Sequence, residues 1–170
     1  MSAPIVLTSD EIKSLSAKTL DGAQYYNGFG PCSSTDSYHL ARSLSYSPYS
    51  KFRVGAVLIA QDGTYVEAGA NVENASYGAC ICAEQTAIVK AVHILTYTRT
   101  TGHKNFKAIG VASSSGTYTS PCGICRQVLR EFAPNIAIYM FAEDGTFVVE
   151  PLTAMLPRSF GPENLDVVRE

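Results

Sequence analysis

Two short cysteine units constrain this chain more than any other feature. Cys82-Ala83-Glu84 is followed forty positions later by Pro121-Cys122-Gly123-Ile124-Cys125. Together they offer three thiols and one carboxylate. From Cys82 to Tyr97, apolar residues (Ala83, Ala87, Ile88, Ala91, Val92, Leu95) recur at spacings of three and four, the period of a helix. The second unit opens another helical stretch through Val128, Leu129 and Phe132. Both units therefore fall at helix N-termini, where unpaired N–H groups and the helix dipole favour a thiolate.

The surrounding pattern alternates strands with helices. A helix is expected from Thr8 to Leu20, capped by Ser9 or Asp10, and another from about Thr35 to Tyr46, ended by Ser47-Pro48. Phe52 to Ile59 reads as a strand, and its continuous apolar second half suits burial on both faces. Asp62-Gly63 is a hairpin turn, so Tyr65 to Ala70 returns antiparallel. Phe106–Ala112, Asn135–Phe141 and Phe147–Glu150 are further strands, and a short helix follows Pro151. The prediction is an α/β fold: a three-layer α/β/α sandwich around a mixed sheet of about five strands.

With 170 residues, 46% hydrophobic and 16% charged, the chain can build one packed core. A net charge of −2 shows no basic face for a polynucleotide. No run approaches the roughly 18 apolar residues of a membrane span, and the N-terminus lacks the basic region of a signal peptide, so a cytoplasmic location is expected. Five cysteines, an odd number, argue for metal or catalytic use over a disulfide framework. Cys32 has no second ligand at metal spacing and reads as a free loop thiol, while His93 and His103 read as non-ligands.

Three cysteines suit Zn²⁺, one ion per chain, held by Cys82, Cys122 and Cys125. Three protein ligands leave a fourth position for water, as in catalytic sites; Cys80 as a fourth ligand would instead close the site and make it structural. In an open site the metal brings the pKa of its water to ~7, and Glu84 can take the water's proton and return it to a substrate nitrogen. Hydroxide, a proton shuttle and an amino leaving group suit hydrolytic deamination. A CxxC thiol oxidoreductase would need neither Cys82 nor Glu84.

The two units resemble those of the zinc deaminases. More closely, Phe52-Arg53-Val54-Gly55-Ala56, Asn71-Val72-Glu73-Asn74, Cys82-Ala83-Glu84 and Pro121-Cys122-Gly123-Ile124-Cys125-Arg126-Gln127, in this order, resemble the small cytidine deaminases of pyrimidine nucleoside salvage. The resemblance covers residues 35–162 as a catalytic domain, with 1–34 as an N-terminal extension and 163–170 as a tail. It implies a hydrolase that converts cytidine and deoxycytidine to uridine and deoxyuridine plus ammonia. It implies that Asn71 and Glu73 bind the ribose 3′-hydroxyl and Phe52 packs on the nucleoside. Backbone groups of Ala83 and Glu84 would read the pyrimidine edge. It also implies a homotetramer, with Phe160 donated to a neighbour's site and Tyr77 near the interface. Blasticidin S-type aminonucleoside deaminases share the metal motif and form the alternative; Asn71 and Glu73 favour a ribose. Gln85 departs from the pattern, because three-cysteine members carry Arg there to offset the thiolate charge. Arg126 is expected to supply part of that charge, with Gln127 beside it.

Overall fold

A computed structural model describes residues 7–20, 41–61, 65–97 and 106–165. Among these are helices α1 (Ser9–Leu20), α2 (Ala83–Tyr97), α3 (Gly123–Phe132) and α4 (Leu152–Met155). The strands are β1 (Val54–Ala60), β2 (Tyr65–Ala70), β3 (Phe106–Ser113), β4 (Ala137–Phe141) and β5 (Phe147–Pro151). They form one sheet in the order β2-β1-β3-β4-β5, with β3 and β4 parallel and the other neighbours antiparallel. The sheet is mixed, as expected from the Asp62-Gly63 hairpin, whose turn itself lies outside the described residues.

The three layers follow from period-two alternation along the central strands. Ala56 and Leu58 of β1, Ile109 and Val111 of β3, and Ile138 and Met140 of β4 point to one face. There they pack with Ala83, Ala87, Ile88 and Ala91 of α2 and Leu129 of α3. Val57, Ile59, Ala108, Ala112, Ala137, Tyr139 and Phe141 point to the other face and pack with Leu7 and Leu15. Helix α1, in the segment expected as an extension, thus packs on this face of the sheet over β1, β3 and β4. Tyr139 extends this layer, its hydroxyl accepting the Leu7 N–H at 3.0 Å.

Two glycines set how closely the helices approach. A Cβ on Gly69 would lie 2.2 Å from the Ala83 carbonyl oxygen and 2.4 Å from the Ala87 nitrogen, so α2 rests directly on the β2 backbone. A Cβ on Gly110 would lie 2.8 Å from Leu15 Cγ and from Thr19 Oγ1, which brings α1 down on β3.

Several local expectations are corrected. The cap of α1 is Thr8, not Ser9 or Asp10. The Thr8 N–H donates to Glu11 Oε2 at 2.8 Å and the Glu11 N–H to Thr8 Oγ1 at 3.3 Å, a reciprocal capping box. The helix expected to run to Tyr46 is, in its described part, only a 3-10 turn at Ala41–Leu44. Beyond it the chain is drawn out along the end of β2: the Tyr46 N–H donates to the Asn71 carbonyl and the Glu73 N–H to the Tyr46 carbonyl. The first strand starts at Val54, not Phe52, because the Val54 N–H is taken by the Asn71 side chain. Residues 35–40, Cys32, His39 and His103 lie outside the described residues, and so does the side chain of His93.

Candidate metal centre and nucleoside site

Helices α2 and α3 lie on the same face of the sheet, and each begins at a cysteine. The Cys82 carbonyl accepts the Thr86 N–H at 3.0 Å, the first helical bond of α2. The Cys82 N–H is capped by Gln85 Oε1 at 3.2 Å. This is half of a capping box, so Gln85 has a local task that an Arg could not perform. Cys122 caps α3, its sulfur accepting the Cys125 N–H at 3.5 Å.

The sulfurs of Cys82, Cys122 and Cys125 lie within 4.8 Å of one another, the only such group among the described residues. Cys82 and Cys122 are 3.9 Å apart and Cys122 and Cys125 3.4 Å. Tetrahedral Zn–S bonds of ~2.3 Å require sulfurs ~3.8 Å apart, so the trio fits zinc in both chemistry and spacing. Cys80 stands apart: its sulfur accepts the Asn74 N–H at 3.3 Å and faces the Asn74 carbonyl. Hence the described residues offer three ligands, not four.

One thiol of the trio is primed for metal. A hydrogen bond from Cys125 lowers Cys82 to about 7, with Cys122 helping, against burial and the charge of Glu84. Cys125, fully buried, is pushed up, chiefly by that same hydrogen bond and then by burial. Of these two, Cys82 is therefore the first to ionise. Glu84, only 4% exposed, stands one residue into α2; burial raises its pKa, and a hydrogen bond from Cys125 partly opposes this.

A second group adjoins the first. Val72 and Ile81 exchange two backbone hydrogen bonds of 2.9 Å, which ties the Asn71–Glu73 strand end alongside Cys82. Asn71 Oδ1 accepts from Ser45 Oγ at 2.6 Å and the Val54 N–H at 2.8 Å, and its Nδ2 donates to the Phe52 carbonyl at 2.9 Å. Asn71 is thus largely spent on fixing the loop that carries Phe52. Glu73 is half-buried, and its carboxylate is held below the ordinary range, first by the Ser50 hydroxyl and then by the Tyr49 and Ser50 N–H groups. Phe52 is 41% exposed.

Arg126 also ties the backbone around the cysteine loop. Nε, Nη1 and Nη2 donate to the Pro121 carbonyl, the Met155 carbonyl and Ser120 Oγ at 2.8, 2.9 and 2.7 Å. It therefore splices the α3 start to the end of α4. Gln127 Nε2 donates to the Phe160 carbonyl at 3.0 Å, and Arg130 binds Ser159 Oγ at 2.8 Å and pairs with Glu163. The helix that carries Cys125 thereby grips the backbone of a segment whose Phe160 ring stays 58% exposed. Tyr77, at 76%, is likewise on the surface, its ring edge-on to Tyr49. Sequence reasoning missed Thr8, Ser50 and Arg130. The Thr-x-x-Glu spacing could have found the first, but no local pattern marks the other two.

Comparison with known proteins agrees with this geometry. The family model for the cytidine and deoxycytidylate deaminase zinc-binding region matches residues 33–141. A cytidine deaminase of Sporosarcina psychrophila is 40% identical over 131 residues, covering 76% of this chain and 90% of that protein. One of Halalkalibacterium halodurans is 38% identical over 127 residues, covering 74% and 90%. The crystal structure of cytidine deaminase from Burkholderia pseudomallei superposes with a TM-score of 0.61 at 40% identity, covering 71% of this chain and 91% of that one. With its three-thiol cluster, buried glutamate and mixed five-stranded sheet, the chain belongs to the zinc-dependent cytidine deaminase family.

Proposed function

We propose that this protein deaminates cytidine and deoxycytidine by hydrolysis, giving uridine or deoxyuridine and ammonia. The observation that carries the reading is the meeting of two helix starts that brings three sulfurs and a buried carboxyl together. Cys82, Cys122 and Cys125 would hold the zinc ion. When bound, zinc supplies a Lewis acid that makes water nucleophilic near neutral pH. Glu84 takes protons from the attacking water on a carboxylate oxygen and passes one to the ring N3 and one to the departing amino nitrogen, so that uridine and ammonia are released. Burial shifts Glu84 upward, toward the range in which one carboxyl can both accept and release a proton.

Around this centre, backbone groups of Ala83 and Glu84 read the pyrimidine edge. Glu73 accepts the ribose 3′-hydroxyl, Asn71 supports it with its remaining amide hydrogen, and Phe52 packs on the nucleoside. Residues 35–162 act as the catalytic domain, and the α1 layer supports it from the far face of the sheet. The exposed rings of Phe160 and Tyr77 support a homotetramer in which Phe160 completes a neighbour's site. A place in pyrimidine salvage and a cytoplasmic location fit thiols that must stay reduced to bind metal. No helix among the described residues is long and apolar enough to cross a membrane.

The test is turnover of cytidine, followed by ultraviolet absorbance and ammonia release, beside blasticidin S. Cytidine turnover well above that of the antibiotic supports the reading; the reverse order overturns it.

A further inference from the structure

The loop between Ser47 and Val54 is tied by Asn71 and Glu73, and one small side chain, Ser50, links Glu73 to the Phe52 backbone. The chain turns back at Lys51, whose N–H reaches the Ser47 carbonyl at 3.1 Å and whose φ is +58°, a left-handed conformation that a side chain disfavours. Such a turn needs ties from outside, and Glu73 supplies them. Glu73 Oε2 accepts the Tyr49 N–H at 2.9 Å and the Ser50 N–H at 3.2 Å. Glu73 Oε1 accepts the Ser50 hydroxyl. The same hydroxyl oxygen accepts the Phe52 N–H at 3.0 Å.

Among the described residues, the Ser50 hydroxyl is therefore the one group bonded to both Glu73 and the Phe52 backbone. The two backbone donors converge on Oε2 and leave the carboxylate free to pivot about it. Only the hydroxyl fixes where Oε1 points. A carboxylate offers about four lone-pair directions, and three of them are spent on this loop. The direction left over is the one that a ligand hydroxyl can use, and Ser50 sets its aim.

We infer that Ser50 is a positioning residue for nucleoside binding, aiming the Glu73 carboxylate at the sugar and setting the Phe52 backbone beside it. This rests on the reading of Glu73 as the sugar acceptor. The contact is the same in ground and transition states, so losing it raises KM and leaves kcat.

The experiment is steady-state kinetics of Ser50→Ala, Ser50→Thr, Glu73→Gln and the Ser50→Ala/Glu73→Gln double variant, on cytidine and on 3′-deoxycytidine. Ser50→Ala should raise KM for cytidine about fivefold, the scale of one hydrogen bond to a partly solvated charged group, with kcat within about twofold. Ser50→Thr should restore KM. The double variant should be no worse than Glu73→Gln, since the hydroxyl acts through the carboxylate. On 3′-deoxycytidine, which lacks the hydroxyl to be bound, most of the Ser50→Ala penalty should vanish. If Glu73→Gln raises KM but Ser50→Ala does not, or if the penalty is equal on both nucleosides, the positioning role is wrong and the sugar reading stands. If Glu73→Gln leaves KM for cytidine unchanged, the sugar reading fails and takes this inference with it.

Discussion

Gly69→Ala adds one methyl group where β2 meets the first turn of α2. Its carbon would sit 2.2 Å from the Ala83 carbonyl oxygen, 2.4 Å from the Ala87 nitrogen and 2.9 Å from Ala87 Cα. All three are backbone atoms, so no side chain can swing away. Ordinary contact begins near 3.4 Å, and 3.4 − 2.2 gives a retreat of 1.2 Å for α2. Overpacking of this kind costs about 1–3 kcal/mol, and a backbone clash belongs at the upper end. For a chain of this length, ~3 kcal/mol lowers Tm by roughly 6–12 °C. The same retreat moves Cys82 and Glu84 away from α3, and a 1 Å error in a reacting group can cost about 100-fold in rate. Thermal unfolding, zinc content and cytidine turnover of the variant test both effects. A Gly69→Ala protein with wild-type Tm and kcat would refute the backbone-on-backbone placement of α2.

Gln85→Arg removes the acceptor for the Cys82 N–H, so about 1 kcal/mol of capping is lost and Tm falls by roughly 2–4 °C, read by calorimetry; turnover changes without being abolished, since charge is added beside the sulfurs, and an unchanged Tm would contradict the capping role. Arg130→Met frees the Ser159 and Glu163 side chains that flank Phe160, and a rise in cytidine KM of roughly threefold, about one hydrogen bond's worth, is expected with zinc content unchanged. Glu11 is held below its ordinary value of 4.5, chiefly by a 2.8 Å hydrogen bond from Lys107. A lowered carboxyl stabilises the fold above its unfolded pKa and loses that contribution as pH falls through the folded one. Glu11→Gln should therefore cost about 0.5–1 kcal/mol at pH 7, the scale of a part-exposed pair, with a slightly lower Tm, and the gap should close on acidification.

The cysteine units were legible because ligand chemistry fixes residue type and spacing, and because a helical period follows each unit at once. The central strands were legible because burial on both faces leaves continuous apolar runs, as at Val54–Ala60. What sequence did not disclose is contact across long separations. Arg126 reads as a charge beside the sulfurs because it follows Cys125; that its guanidinium also holds carbonyls at Pro121 and Met155 has no local signal. Asn71 looked like a free sugar reader, but most of its amide is used to hold the chain between Ser45 and Val54. Helix α1 looked detachable because its motifs match nothing nearby. Its packing partners, Gly110 and Tyr139, lie about a hundred residues on, where no local pattern points back to them.

The central claim is that Cys82, Cys122 and Cys125 hold a catalytic zinc ion beside Glu84 as the proton carrier. The most direct measurement is zinc per chain together with cytidine deamination, made on the same preparations of wild type and Glu84→Gln. The account predicts about one zinc in both proteins and a fall in kcat of at least 100-fold in the variant, the scale of lost general acid–base catalysis. Loss of zinc in Glu84→Gln, or turnover at the wild-type rate, would contradict it.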